Sequence, residues 1–468
     1  MPSHPKLPRL TAATLFILTT CLTGCATHPE PAPRVDVPAQ WTVAQPGQTG
    51  EPLTREWFRA FGSTELDTLI TSAYENSFDV QAANARLQQA DARARIAGAP
   101  LLPQVDFGAD ATTYAGHSSN GSAHETDTAA LVSASYEVDF WGKNRAARDS
   151  ARAALRASDA DRSVVVLTTV TGVATAYFEV VALREETTLA QSTADNARHL
   201  LELVEARAKT GLANPAEVAQ QRAAVANTEI RIQELRQQES AALAALAILV
   251  GKMPDTLKIE AHNLSSLATP RVAPGLPSEL LARRPDVAAA ESNLQSAHAD
   301  LVQARAAFFP TLTLTGSGGI QNPAVQAAVE TLSGVGPTLT VGAALAQTIF
   351  DGGRLRAARD EAGAKEQEML ASYRAAALAA LWDVEVALSA IHYLDRQADA
   401  QRDSLEQSEL GFASAQARYR AGSGDFLTVL DAERTLIGAR EQMTQYRLAR
   451  LQAAVGLCKA LGGGWLPG

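Results

Sequence analysis

Few residues in this chain are able to do covalent or acid–base chemistry, and only one sits in a pattern that demands it. Cys25 closes the run Leu22-Thr23-Gly24-Cys25. Small residues before a cysteine at the end of a short apolar stretch look like a bacterial lipobox, in which the cysteine becomes the first mature residue and carries lipid; the alternative is a plain secretory signal with a chance cysteine. Lys6 and Arg9 precede that stretch, Leu10 to Leu22, which is too short to span a bilayer and has a signal-peptide layout. Ala26 follows, where an aspartate would direct retention at the inner membrane, so sorting to the outer membrane is expected. The other candidates fail on spacing. The eight histidines include no HExxH and no pair at ligand spacing, and no GxxxxGK[ST] loop occurs. Gly316-Ser317-Gly318-Gly319 resembles a nucleophile elbow in composition only, because no helix start follows it. Once Cys21 leaves with the signal and Cys25 is lipidated, Cys458 is alone, so there is neither a disulfide framework nor a zinc site. It reads as a small buried apolar residue. No catalytic residue, metal ligand or cofactor beyond the lipid is expected.

Composition narrows the class further. The chain has 468 residues, 46% hydrophobic and 5% aromatic, with net charge −10 and pI near 5.4. Removing residues 1–24 takes Lys6 and Arg9 and no acid, so the mature charge is −10 − 2 = −12. That balance disfavours nucleic acid as a partner, and the scarcity of aromatics disfavours a dense enzyme core.

The elements around these residues follow an order that occurs twice. Residues 25–50 are rich in proline, glycine and polar residues and read as a tether. A helix near Val80 to Gly98 stops before Pro100 and Pro103, and strand 105–114 alternates Val105, Phe107 and Ala109 with Asp106, Gly108 and Asp110. A polar loop, Ala115 to Thr128, leads to strand 129–140, where Ala130, Val132, Ala134, Tyr136, Val138 and Phe140 alternate with Ser133, Ser135, Glu137 and Asp139. Long helices are expected over 143–209 and 215–250. Asn214, Pro215 and Glu217 supply a cap, a first-turn proline and a capping-box carboxylate. An irregular connector, 255–277, leads to the second copy: a helix ending at Pro310, strands 311–320 and 338–350, then helices 354–421 and 425–458. Val384, Ile391, Ala398, Leu405, Phe412 and Tyr419 recur every seven residues, a coiled-coil seam. The first copy thus covers 51–254 and the second 278–461, leaving a tail at 462–468. Arg283-Arg284 is internal, so it is no export signal, and is expected to contact a neighbouring carboxylate near Pro285-Asp286.

Four strands with one apolar and one polar face suit an outer-membrane barrel. A four-stranded sheet cannot close, and open edges cannot face lipid. Several chains must then share one barrel: two would give eight strands, three twelve. The helices, about 100 Å long at ~1.5 Å per residue, would run into the periplasm as a hollow cylinder or a solid stalk. Phe140, Trp141 and Phe350 at the strand ends suit either an aromatic girdle or packing at the strand–helix joint.

Five segments together carry a family resemblance. They are the lipobox, Trp57-Phe58-Arg59-Ala60-Phe61, GLPSELLARRPDVAAAE (Gly275 to Glu291), IFDGGRLRAA (Ile349 to Ala358) and ARYRAGSGDFLTVLDAERTL (Ala417 to Leu436). The mature chain resembles the TolC-like outer membrane factors, and within them the NodT-type efflux lipoproteins. The resemblance implies an internally duplicated α+β membrane channel: a homotrimer with a twelve-stranded β-barrel and a periplasmic α-barrel. It also implies a periplasmic adaptor and an inner-membrane pump of the resistance–nodulation–division class, for which this chain would be the passive exit duct for drugs or other small toxic compounds. A structural or adhesive stalk and a type I secretion duct are the alternatives. Alignment on YRAG places Tyr419 and Asp431 on a gate tyrosine and an acidic-ring aspartate, and Glu217 where an acid is expected in the first copy. Glu217 also fits its capping box, and Asp431 a solvated helix face. Thr428 and Gly424 depart from the family pattern, standing where a second acid and a basic residue are expected, which implies a less tightly latched constriction.

Overall fold

The computed structural model describes residues 36–42, 53–118, 121–322 and 336–464. The signal peptide, Cys25, most of the tether, the centre of the second hairpin loop and residues 465–468 lie outside them.

A 3-10 turn, Trp57–Phe61, opens the body and is followed by α1 (Thr64–Asn76) and α2 (Phe78–Gly98). Strands β1 (Gln104–Ser118) and β2 (Gly121–Val138) form an antiparallel hairpin, and then come α3 (Lys143–Lys209) and α4 (Pro215–Leu249). The connector holds only short 3-10 turns before α5 (Pro277–Arg283) and α6 (Pro285–Ala306). Strands β3 (Thr311–Asn322) and β4 (Gly336–Ala346) precede α7 (Arg354–Arg420) and α8 (Phe426–Ala460). Both α3 and α7 have 67 residues, and both α4 and α8 have 35. The two copies run in one register: Lys143 corresponds to Arg354 (354 − 143 = 211), and the same offset relates Pro215 to Phe426 and Leu249 to Ala460.

The four strands lie in one sheet in the order β1-β2-β3-β4. Register sorts their residues by polarity. Val105, Ala134, Gly316 and Val341 form one cross-strand row, and Phe107, Val132, Gly318 and Leu339 the next row on that face. The other face carries Asp106, Ser133, Ser317 and Thr340 in one row and Gln104, Ser135, Thr315 and Gly342 in another. A slip of one residue would interleave the two sets, so the alternation itself fixes the pairing.

Two boundaries differ from the sequence expectation. Residues 115–118 and 121–128 belong to the β1–β2 ladder rather than to a loop. Polar residues gave no apolar alternation there, yet the backbone hydrogen bonds continue. At the other end, β4 stops at Ala346 and β2 at Val138, short of 350 and 140. Ala346 pairs with Thr311, the first residue after Pro310, so β4 has no partner beyond it. Past the strands, Asp139 and Asp351 turn inward to start the helices. The Asp139 carboxylate accepts from Asn144 and Arg145 N–H at 2.9 Å each, and that of Asp351 from Gly353 and Leu355 N–H at 3.0 and 2.9 Å.

The largest core lies midway along α3, where Val173, Tyr177, Phe178 and Val181 meet Phe61, Leu66 and Ile70 from the N-terminal helices and Leu246, Leu451, Val455 and Cys458 from α4 and α8. The connector is strapped to this core. Glu65 accepts from Glu260 N–H at 2.6 Å, Glu185 accepts from Leu264 N–H at 2.7 Å, and Ala268 N–H donates to Phe61 O at 3.0 Å. In the tether, Trp41 is buried, and its indole N–H donates to Gly275 O at 2.8 Å.

Arg284 pins the second copy together. Its guanidinium pairs with Asp286 at 2.6 Å and Asp383 at 2.8 Å, and donates to Ala460 O at 3.1 Å, joining α6, α7 and the end of α8. Burial alone would lower its pKa, but the two aspartates outweigh that and raise it. Replacing Arg284 by Met strands both carboxylates. Breaking a buried pair costs about 3–5 kcal/mol. Both aspartates are 37% exposed, so the expected loss is roughly 2–3 kcal/mol after allowing for solvent screening. Denaturant unfolding of the detergent-solubilised variant measures it, and an unchanged midpoint would contradict the pinning role.

Candidate functional site

Three places concentrate the features a conduit needs: the two-faced sheet, the joint beneath it, and the turns at the far end of the long helices. At the joint, Trp141 stacks on Phe309 with centroids 4.6 Å apart, meets Phe140 edge-on at 4.9 Å, and donates its indole N–H to Pro310 O at 2.9 Å. Phe140 is 60% exposed. An amphipathic aromatic cluster with one bonded N–H and outward ring faces is what a membrane–water boundary favours. Phe350 differs. It stands beyond β4, largely exposed and outside the cluster.

At the far end, the α3–α4 and α7–α8 turns have the same construction. Arg207 O accepts from Leu212 N–H at 2.9 Å and Arg418 O from Ser423 N–H at 3.0 Å, each around a left-handed glycine, Gly211 or Gly422. These are Schellman-type stops, which need a residue free of the Cβ penalty. Asn214 caps α4 by accepting from Glu217 N–H at 3.0 Å, completing a capping box. Asp425 caps α8 by accepting from Thr428 N–H at 2.9 Å and its hydroxyl at 2.8 Å. Thr428, where the family resemblance led us to expect an acid, thus serves the cap.

The two turns are bonded to each other. The Tyr419 hydroxyl donates to Glu217 Oε2 at 3.3 Å, while Glu217 Oε1 faces Asn214 N–H at 3.5 Å. The same carboxylate is therefore both a cap and a cross-link. Tyr419 is only 2% exposed, packed with Leu200, Val204, Phe426 and Val429. Its pKa is raised chiefly by burial, with Arg207 opposing and Glu217 reinforcing. Asp431 is not brought to this link: it is exposed on α8, and its backbone carbonyl accepts from the Thr435 hydroxyl.

Sequence reasoning missed Arg207. Its guanidinium donates to Tyr419 O at 2.7 Å and lies 4.4 Å from the centroid of the Tyr419 ring. No local pattern signals that this arginine crosses to the other turn, 212 residues away in the chain. It supplies the cation that Gly424 cannot. A Cβ on Gly424 would sit 3.1 Å from Arg418 Cβ and from Tyr419 N, so a larger residue there requires these neighbours to give by a few tenths of an ångström.

Comparison with known proteins fits this geometry. The outer membrane efflux protein family model matches residues 69–252 and 276–463, one match on each copy. The chain belongs to the outer membrane efflux protein family. It is 44% identical over 463 residues to the pyoverdine export outer membrane protein OpmQ of Pseudomonas aeruginosa, covering 96% of this chain and 97% of that protein. It is 30% identical to the antibiotic efflux pump outer membrane protein ArpC of Pseudomonas putida, over 97% of this chain and 95% of the other. Among solved structures, the outer-membrane channel OprN superposes with a TM-score of 0.87 at 26% identity, covering 94% of this chain and all of that one. The open state of the MtrE channel of Neisseria gonorrhoeae gives 0.82 at 27% identity, covering 94% and 98%. This efflux protein is an outer-membrane exit duct, with the α+β channel fold expected from its sequence.

Two predictions test the turns. Replacing Tyr419 by Phe removes one hydrogen bond, worth about 1 kcal/mol. Amide exchange at residues 207–217 should quicken about five-fold while the core near Tyr177 is unchanged; no change at the turns would contradict the cross-link. The hydrogen bonds from Thr428 N–H and hydroxyl hold the Asp425 carboxyl below the usual aspartate range. A depressed folded pKa stabilises above the unfolded value and is lost as pH falls through the folded one. Exchange protection at the start of α8 should therefore decline on acidification below about pH 4, and Asp425→Asn should flatten that decline.

Proposed function

We propose that three copies of this efflux protein close a twelve-stranded barrel in the outer membrane, and that their long helices form a periplasmic α-barrel. The duct takes its cargo from an inner-membrane pump through a periplasmic adaptor. Cys25 carries the lipid that anchors it. The observation that carries this reading is the polarity sorting of the sheet: one face apolar from the row of Val138 to that of Ala109, the other mostly polar with Leu131 the large exception, and two edges, β1 and β4, without a strand partner among the described residues. A solid stalk has no use for a hydrated inner wall.

Cargo is small and is selected by the pump, because the duct's own wall is mostly serine, threonine and glycine, with few charged groups such as Asp106 and Glu137. Similarity to a relative named for pyoverdine export supports a secreted small molecule of that kind, and similarity to an antibiotic efflux component supports drugs as well. The turn link between Tyr419, Glu217 and Arg207 is the latch of the periplasmic end, with exposed Asp431 on its solvent side.

Purified protein in planar lipid bilayers is expected to give discrete conductance steps, and deletion of its gene to raise sensitivity to the pump's substrates. A protein that inserts without conducting would support the stalk. Loss of a secreted polypeptide, with toxicant sensitivity unchanged, would support type I secretion. Cys25→Ser should remove the lipid mass while leaving conductance intact.

A further inference from the structure

A groove of about 350 Å³ lies between α3, α7 and α8, next to the cluster around Tyr419, on which its Phe412 packs, and holds an acid without a partner. Glu433 lies in the apolar seam of α8, between Val429 and Leu436, and is 7% exposed. It makes no hydrogen bond or ion pair among the described residues, and burial alone acts on its pKa, raising it. The charged neighbours in the groove are Glu409 of α7 and Arg440 of α8, already paired at 3.0 Å. Helix α3 offers only the neutral Thr193 and Asn196. The groove thus carries one uncompensated carboxylate.

The first copy shows what is missing. At the offset of 211, Glu433 corresponds to Arg222, which pairs with Glu205 at 2.7 Å. Glu205 corresponds to Gln416. The next pair along is inverted: Glu409–Arg440 in the second copy stands where Arg198–Glu229, 3.2 Å apart, stands in the first. Arg198–Glu229 exchanges sign as an intact pair, whereas in the other pair only the Arg222 position does, Glu205 giving way to neutral Gln416. The second copy has the acid and no base.

We propose that this groove is a binding site for a small organic ammonium ion, held by the Glu433 carboxylate with the half-buried Phe412 ring as its apolar wall. The chemistry favours an organic cation over a bare metal ion. No group of three metal-ligating side chains occurs among the described residues, whereas a carboxylate beside an aromatic face suits an alkylammonium. The volume exceeds that of a bare ion. The Glu433 side chain is largely buried while its unpaired carboxylate opens onto the groove, so its partial desolvation is uncompensated, and a bound cation offsets it.

Calorimetric titration of the detergent-solubilised full-length protein with tetramethylammonium and ethylammonium, against neutral tert-butanol as control, tests the site. Saturable binding of the ammonium ions and none of the alcohol is expected. Affinity should fall at least ten-fold as Glu433 protonates, beginning at a higher pH than an ordinary glutamate would give. Glu433→Gln should abolish binding. Gln416→Arg, which restores an internal cation beside an intact Glu433, should abolish it too, and Phe412→Leu should weaken tetramethylammonium more than ethylammonium. Absence of binding in the wild type, or binding that survives both Glu433→Gln and Gln416→Arg, overturns the proposal. Bilayer conductance of the Gln416→Arg protein is read separately, so loss of the cation site is distinguishable from loss of the duct.

Discussion

An unsatisfied sheet edge in hydrocarbon is the constraint from which the rest of this structure follows. Each unpaired N–H or C=O in lipid costs several kcal/mol, and this sheet presents two full edges, along β1 and β4. Val105 and Phe107 on β1, and Leu339, Val341 and Leu345 on β4, point into solvent with 65–83% of their surface exposed. Nothing among the described residues covers that face. Only a lipid surround and neighbouring strands of the same design can satisfy both the face and the edges. The duplication supplies two hairpins per chain, and the helices that follow them inherit the same arrangement.

The long helices need a different source of order. At 67 residues each, α3 and α7 are too long to be held by one core, and the structure holds them at three heights. The aromatic joint sits at the upper end, the core around Tyr177 and Phe178 grips the middle of α3 with the connector strapped to it, and Arg284 ties the middle of α7 to α6 and α8 through Asp383. The lower end is held by the small cluster around Tyr419, with a single hydroxyl–carboxylate bond and one arginine crossing between the turns. The buried apolar cluster thins from the middle of α3 to the tip, where a smaller cluster is joined by polar contacts between the turns.

Much of this was legible in the sequence, for physical reasons. Prolines at 103 and 310, the Asn214–Pro215–Glu217 cap and the glycines at 211 and 422 fix helix ends through local backbone chemistry, so the long helices could be bounded to within a residue or two. Period-two alternation located the strands where they cross the apolar layer. It failed at residues 115–128, because polar strand residues beyond that layer carry no alternation. It overran at residues 347–350, because a strand's end is set by its partner, here Pro310, and not by its own residues. The tip was half legible. Tyr419 and Glu217 were singled out and do meet, but Arg207 reaches a turn 212 residues away in the chain, a contact with no local signature. Glu433 was silent as well: its meaning comes from comparing the two copies once their common register is known.

The central claim is that β1 of one protomer pairs with β4 of the next. Cysteine pairs test it most directly, with one cysteine replacing Phe107 on β1 and a second scanned along β4 from Leu339 to Leu345 in the same chain. Oxidation of the membrane-embedded protein is predicted to yield covalent dimers and trimers at alternate β4 positions and no larger species. Disulfides forming only within single chains, or none at any position, would contradict the account.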